Sequence, residues 1–325
     1  MMHHIDYDEP GRPSVLRLQT GPLPVPTRGQ VLIEVAAAGV NRPDILQRQG
    51  RYPPPEDASP ILGLEVAGTV AAVGPGVRQL KVGQRICALT HGGGYAEYVC
   101  APEEHCLVMS DSLSFVQAAA LPEALFTVWA NVYDRGGLKP GQSLLVHGGT
   151  GGIGSIAIQM GRITGARVYA TAGSDEKCTI CQGLGAVRAV NYRSEDFVEV
   201  IRLATGRGAD VILDSIGGSY IQRNILAAAT DGRIVNIAFQ QSPIAEVNFM
   251  RVLVKRLTLT GTTLRSRSHH DKALIAQHLR AKLWPAVCAG RIAPLIAGTY
   301  PLAEAAMAHE ELEEGRVVGK LVLTI

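Results

Sequence analysis

Residues 143–159, SLLVHGGTGGIGSIAIQ, restrict the possible folds more than any other stretch. A short apolar run enters a glycine-rich turn, and a segment with Ile153, Ile156, Met160 and Ile163 available to one helical face leaves it. The turn, Gly149-Thr150-Gly151-Gly152-Ile153-Gly154, is a G-x-G-x-x-G. Such a pattern is weak alone and much stronger between a strand and a helix. In that setting Gly149 permits the tight turn, Gly151 lets the backbone approach a pyrophosphate, and Gly154 lets helix and strand pack closely. Free N–H groups at the helix start then face the phosphates. Downstream, "ARVYATA", "VRAVNY", "ADVILDSIGG", "GRIVNIAF" and "RLTLTGTT" read as strands, and "DEKCTICQGLG" and "SEDFVEVIRLATG" as helices. Alternation of this kind predicts an α/β fold with a doubly wound parallel sheet.

The chain of 325 residues is long for one core and comfortable for two. Residues 1–120 hold short strands ("QVLIEVAAAGVN", "GTVAAVGPGV", "VGQRICAL", "YAEYVCA") among Gly- and Pro-rich turns, which predicts a β-barrel-like domain. From about residue 115, "SFVQAAALPEALFTVWANVYDRGGL" is helical in period and broken at Pro122. A late helix and the strand "EGRVVGKLVLTI" are expected to rejoin the first domain. The organisation read from this is residues 1–120 with 262–325, and residues 121–261 between them.

A net charge of +2 gives no field for nucleic acid or a membrane surface. No apolar run reaches the ~18 residues of a membrane span, and "MMHHIDYDEPGRP" lacks the apolar stretch of a secretory leader. Six scattered cysteines suit a reduced cytoplasmic protein, and the lone pair Cys178/Cys181 reads as two small helix side chains. None of the nine tyrosines has a lysine four residues on, which excludes a Tyr-x-x-x-Lys proton relay.

The strand "RVYATAGSDEK" ends where a dinucleotide-binding domain holds its adenine ribose, without the acid that usually meets the 2′-hydroxyl of NAD. Ser174 is an N-cap candidate, and Lys177 in the first turn opposes the helix dipole, at a cost of about a few tenths of a kcal/mol unless an anion compensates it. A 2′-phosphate is such an anion, and Tyr192 at the end of the next strand is placed to donate to it. Gly173, Ser174, Lys177 and Tyr192 therefore predict NADPH, with Asp175 or Glu176 as the alternative partner of an NAD ribose.

"AAAGVNRPDILQRQGRYP", "LGLEVAGTVAAVGPGV", "KVGQR" and "HGGTGGIG" occur in an order and spacing that resemble the medium-chain dehydrogenases/reductases. With "TAGSDEK", "NYRSEDF", "ILDSIGGSY", "LRSR" and "VVGKLVL", the resemblance is to the zinc-free quinone oxidoreductases, of the p53-inducible type. It implies a GroES-like β-barrel catalytic domain with an inserted Rossmann domain, and a homodimer paired through the Rossmann sheets. Zinc-dependent relatives carry Cys where Asn41 stands and His where Leu64 stands; neither Asn nor Leu replaces those ligands, so no metal is expected.

At the reacting end the resemblance points to Asn41, Asp44 and Tyr52 as catalytic candidates. Asn41 also reads as a helix N-cap, Asp44 as a first-turn acid, and Tyr52 as a ring on a proline loop. Cofactor contacts are implied for Thr127, Ser215, Ile216, Gly217, Ala238, Phe239, Thr263, Leu264 and, from the tail strand, Lys320. Ser215–217 and 238–239 end strands of a parallel sheet, where open α/β sheets bind ligands. Thr127 and Phe239 read equally as buried side chains, and Lys320 as an exposed lysine on an edge strand. The expected activity is NADPH-dependent reduction of small quinones, whose oxygens take protons from water. An enoyl or alkenal reductase, or a low-turnover NADPH-binding redox sensor, is the alternative.

Overall fold

The computed structural model describes residues 1–325 and divides into two units, Met1–Phe126 with Arg265–Ile325, and Thr127–Leu264. In the first, β1 (Met2–Asp6) pairs antiparallel with β2 (Arg17–Gly21). The hub is β3 (Gln30–Gly39), whose side chains are largely buried. It is followed by α1 (Arg42–Arg48), β4 (Glu65–Val73), β5 (Arg85–Leu89), β6 (Tyr98–Pro102) and β7 (Cys106–Val108). The helical stretch beyond residue 114 is three pieces: α2 (Phe115–Ala119), α3 (Pro122–Val128) and a π-helical segment, Trp129–Arg135. Pro122 separates the first two because it has no N–H to give and disfavours a helical residue before it.

The second unit alternates β8 (Ser143–Val146), α4 (Gly152–Ile163), β9 (Arg167–Ala172), α5 (Asp175–Leu184), β10 (Arg188–Asn191), α6 (Phe197–Thr205), β11 (Ala209–Asp214), α7 (Ser219–Ala227), β12 (Ala228–Asn236), α8 (Phe249–Lys255) and β13 (Thr258–Gly261). The sheet runs β10-β9-β8-β11-β12-β13 with every pairing parallel. The order reverses between β8 and β11, the switch point of a Rossmann fold. Leu145, Tyr169, Val190, Phe197, Ile212 and Ile234 form its core. Helices α7 and α8 are absent from the reading above, which set three strands in succession. A parallel neighbour needs a crossover, and SYIQRNILA and FMRVLVK lie in the two crossovers.

The chain returns to the first unit through α9 (His269–Lys282), α10 (Trp284–Cys288), β14 (Ile296–Pro301), α11 (Ala305–Glu313) and β15 (Lys320–Thr324). The seven-stranded sheet orders β14-β15-β3-β4-β5-β7, with β6 also on β3. Val31, Ile33, Val66, Ile86, Leu321 and Leu323 meet in its core; burying one such side chain is worth about 1.5–3 kcal/mol. No helix is long and apolar enough to cross a membrane.

Candidate functional site

The glycine loop sits at the carboxyl end of β8. Its left-handed residue is Gly148 (φ 69°), so the tight turn is made there and not at Gly149. Gly149 is needed for packing instead: a Cβ on it would lie 2.6 Å from Cys181 Sγ and 2.9 Å from Ala170 Cβ. At Gly154 a Cβ would lie 2.2 Å from the Gly148 carbonyl oxygen, which closes the helix onto the loop. Gly151, the N-cap of α4, differs; its Cβ would meet only that same oxygen, at 3.4 Å. The N–H groups of Gly152, Ile153 and Gly154 have no intrahelical partner. An open face over Gly151 with donors behind it fits a pyrophosphate.

Beneath the loop lies a buried polar chain that sequence reasoning missed. Asp214 Oδ2 accepts from Asn224 Nδ2 at 3.0 Å and from Asn236 Nδ2 at 2.9 Å. Asn224 Oδ1 therefore faces His147 Nε2, 2.7 Å away, and that nitrogen carries the proton. His147 Nδ1 is then an acceptor for the Thr171 hydroxyl at 3.0 Å. Burial drives the His147 pKa below its usual value, with Asp214 acting in the opposite sense. The other Asp214 oxygen accepts from the N–H of Ile216 (2.7 Å) and Gly217 (3.2 Å), which orders the turn after β11. The Phe239 ring lies against Gly217, where a Cβ would sit 2.5 Å from Cδ1. Phe239 is 46% exposed, so the core-packing reading fails for it. Ala238 is half-buried beside it, and Ser215 half-buried next to Gly148.

At the ribose end, Ser174 caps α5, its Oγ accepting from Lys177 N at 3.3 Å. A Cβ on Gly173 would lie 2.7 Å from the Tyr192 hydroxyl, so that glycine makes room for the phenol. Asp175 is turned to β10, accepting from Asn191 Nδ2 at 2.8 Å, and the Ser174 hydroxyl bonded to Glu176 lowers that carboxyl's pKa. Thr127, buried, accepts through its carbonyl from Asn131 Nδ2 at 2.8 Å. Asn131 Oδ1 in turn accepts from Thr262 Oγ1 at 3.0 Å, which links Thr127 to the segment carrying Thr263 and Leu264. Asn131 was not anticipated.

In the first unit Asn41 is the N-cap of α1, and its N–H donates to Asp44 Oδ2 at 2.8 Å. Asp44 is spent inside the fold, accepting also from Gly63 N (3.2 Å) and Tyr95 Oη (3.2 Å). Burial pushes its pKa up to about 6. It holds the start of α1 and does not present a free carboxylate. Tyr52 is half-buried, with the Arg265 guanidinium 5.8 Å from its ring centre.

Lys320 corrects a specific expectation. It is 5% exposed, on a strand flanked by β14 and β3, and is therefore neither an edge lysine nor pointed at solvent. Its ammonium bonds Glu65 Oε1 at 2.5 Å and also Asn41 Oδ1. This pair was legible only as separate letters, 255 positions apart.

The alcohol dehydrogenase GroES-like domain model matches residues 27–111, and the zinc-binding dehydrogenase model matches residues 152–278. A quinone oxidoreductase of Sus scrofa is 33% identical over 323 residues, covering 97% of this chain and 95% of the relative. The Escherichia coli quinone oxidoreductase complexed with NADPH superposes with a TM-score of 0.87 at 29% identity, over 99% of this chain and 100% of the other. The CurK enoyl reductase gives a TM-score of 0.86 at 28% identity, with 99% of each chain covered. With a GroES-like domain, a Rossmann sheet and relatives matched over their whole length, the chain belongs to the quinone oxidoreductase family of medium-chain dehydrogenases/reductases.

Proposed function

We propose that the chain is an NADPH-dependent quinone oxidoreductase that works without zinc. The observation that carries the cofactor choice is that β9 itself ends without an acid: the Tyr192 hydroxyl lies beside Gly173, Ser174 and Lys177 open the next helix, Asp175 is held by Asn191 and Glu176 by the Ser174 hydroxyl. That arrangement suits a 2′-phosphate. When bound, NADPH supplies the reducing equivalents. Gly151–Gly154 hold the pyrophosphate, the Asp214–Asn224–His147 chain keeps the loop in register, and Ser215–Gly217, Ala238, Phe239, Thr127, Thr263 and Leu264 line the rest of the cofactor's path.

Asn41 and Tyr52 are assigned to the acceptor, and Asp44 to fixing Asn41 in place. Where zinc enzymes carry two ligands, this chain has buried Leu64 and an Asn41 whose amide is occupied by Lys320 and Glu65. That donor set does not fit a catalytic zinc. An acceptor that needs no Lewis acid is then favoured, and the whole-length quinone oxidoreductase relatives support a quinone. The likeness to CurK keeps one second reading, an enoyl reductase.

The proposal also includes a cytoplasmic homodimer. Strand β13 is an open edge of the Rossmann sheet, and α8 leaves Phe249 (67%), Met250 (64%), Leu253 (72%) and Val254 (58%) exposed. A second copy laid against that edge covers both. The deciding experiment follows NADPH oxidation with an ortho-quinone, a para-quinone and an enoyl thioester as separate acceptors. Turnover of a quinone and not the thioester supports the reading, and thioester turnover alone replaces it with the enoyl reductase.

A further inference from the structure

Lys320 and Glu65 bury two full charges, at 5% and 0% exposure, in the first unit. Charges taken from water in this way are tolerated only when their remaining protons and lone pairs are bonded, and an apolar pair of similar volume often does the packing as well. Glu65 meets the condition. Its Oε1 accepts from Lys320 Nζ at 2.5 Å and from Asn41 Nδ2 at 2.9 Å, and its Oε2 accepts from Glu123 N at 2.9 Å. The backbone is shaped around it, because a Cβ on Gly39 would stand 2.1 Å from Glu65 Oε1.

What the pair does that an apolar pair could not is choose an amide orientation. An ammonium only donates and a carboxylate only accepts. Asn41 Oδ1 is therefore directed to Lys320 and Nδ2 to Glu65, and a flipped amide would set N–H against ammonium and oxygen against carboxylate. The main chain of Asn41 is fixed independently through Asp44. The second Nδ2 proton goes to the Gly39 carbonyl at 3.4 Å, the longest of the amide's bonds and the one an acceptor oxygen would have to displace.

We propose that Lys320 and Glu65 are positioning residues, which clamp the Asn41 amide in one orientation so that the N–H now on the Gly39 carbonyl can be exchanged onto an oxygen of the acceptor. The inference rests on the reading of Asn41 as a residue at the reacting end. It assigns Lys320 to the acceptor side of the reaction and not to a cofactor phosphate.

The test uses the full chain with 15N-labelled asparagine, the Asn41 side-chain resonance being identified by its loss in Asn41→Ala. The clamp predicts a resonance protected from solvent exchange, displaced but still protected in Lys320→Arg, and at least tenfold faster to exchange in the neutral double variant Lys320→Met/Glu65→Gln. In the same double variant kcat for a quinone is expected to fall at least tenfold, with NADPH affinity by fluorescence titration within twofold of the parent. Lys320→Arg should hold kcat within threefold. An Asn41 resonance that ignores both changes, or a folded double variant with unaltered kcat, overturns the proposal. If the double variant does not fold, the Lys320→Arg spectrum decides alone, since an undisplaced resonance denies the contact. If the parent protein reduces no quinone, the functional reading fails while the spectra still decide the clamp.

Discussion

His147 donates from Nε2 to Asn224 Oδ1 across 2.7 Å, and this bond sets the proton positions under the glycine loop. With Nε2 protonated, Nδ1 is free to accept from Thr171, whose oxygen lies 3.4 Å from the Gly148 N–H as its acceptor. The Asp214 carboxylate at the far end fixes the direction of the whole chain. Replacing Asn224 with Ala leaves a buried N–H and a carboxylate oxygen each short of a partner, which costs about 1–3 kcal/mol per group. A lower melting temperature and weaker NADPH binding are expected together, by calorimetry and fluorescence titration. A destabilised variant with undiminished NADPH affinity would show that the network supports the fold and not the loop.

The two glycines of the loop should fail differently. Gly154→Ala puts a methyl 2.2 Å from a backbone oxygen, so strand and helix must separate and the fold itself is expected to suffer. Gly151→Ala places its methyl 3.4 Å from the nearest atom, in ordinary contact. That variant should melt near the parent temperature and yet lose at least tenfold in NADPH affinity, because the methyl occupies the open face offered to phosphate. Equal affinity in Gly151→Ala would move the pyrophosphate elsewhere.

The parallel sheet and the glycine loop were legible because periodicity and turn chemistry are local. Ser174 as a cap was legible for the same reason. Lys320 was not: "VVGKLVL" shows a lysine in a strand, and nothing nearby tells that Glu65 waits beside it in the folded chain. Asp44 carried two readings, a catalytic acid from the resemblance and a first-turn acid from its place in the helix, and its bonds to Asn41, Gly63 and Tyr95 fit the second. Asn131, Asn224 and Asp214 act through partners distant in sequence, which a linear pattern does not encode. Helix α7 was lost because the face it buries, Tyr220, Asn224, Ile225 and Ala227, carries a polar asparagine in place of an apolar residue.

Lys177→Ala tests the choice of nucleotide. A charge-assisted bond to a phosphate is worth about 1.5–3 kcal/mol, so NADPH should bind roughly ten- to a hundredfold more weakly. NADH, with no 2′-phosphate, should change by less than about threefold. Titrations of both nucleotides measure this directly, and equal losses would remove Lys177 from the 2′-phosphate.

Glu123 gives the protein a pH dependence of known sign. Burial, and next the Glu65 carboxylate, push its pKa up to about 7 from 4.5. The folded state therefore holds this proton more tightly than the unfolded state. The stability so contributed is fully present below about pH 4.5 and is lost as pH rises through about 7. Glu123→Gln keeps the shape and the backbone bond to Glu65 but cannot ionise. It should match the parent near pH 4.5 and exceed it at pH 8 by up to about 3 kcal/mol. Asp44, raised to about 6, is present in both proteins, and its charge adds to the upward push on Glu123. Urea unfolding at the two pH values checks it, and a pH-independent difference would mean that Glu123 titrates alike in the folded and unfolded states.

The dimer can be tested without touching the cofactor residues. Leu253 is 72% exposed on α8, a helix that buries none of its residues within the chain. If a second copy covers it, Leu253→Asp buries an unpaired carboxylate at the interface, a change that commonly costs several kcal/mol. Sedimentation should then show a monomer for the variant at concentrations where the parent is a dimer, with an unchanged far-ultraviolet spectrum. A monomeric parent refutes the pairing outright. A variant that stays dimeric while Leu259→Lys on β13, itself 38% exposed, dissociates would keep the sheet edge as the contact and remove α8 from it.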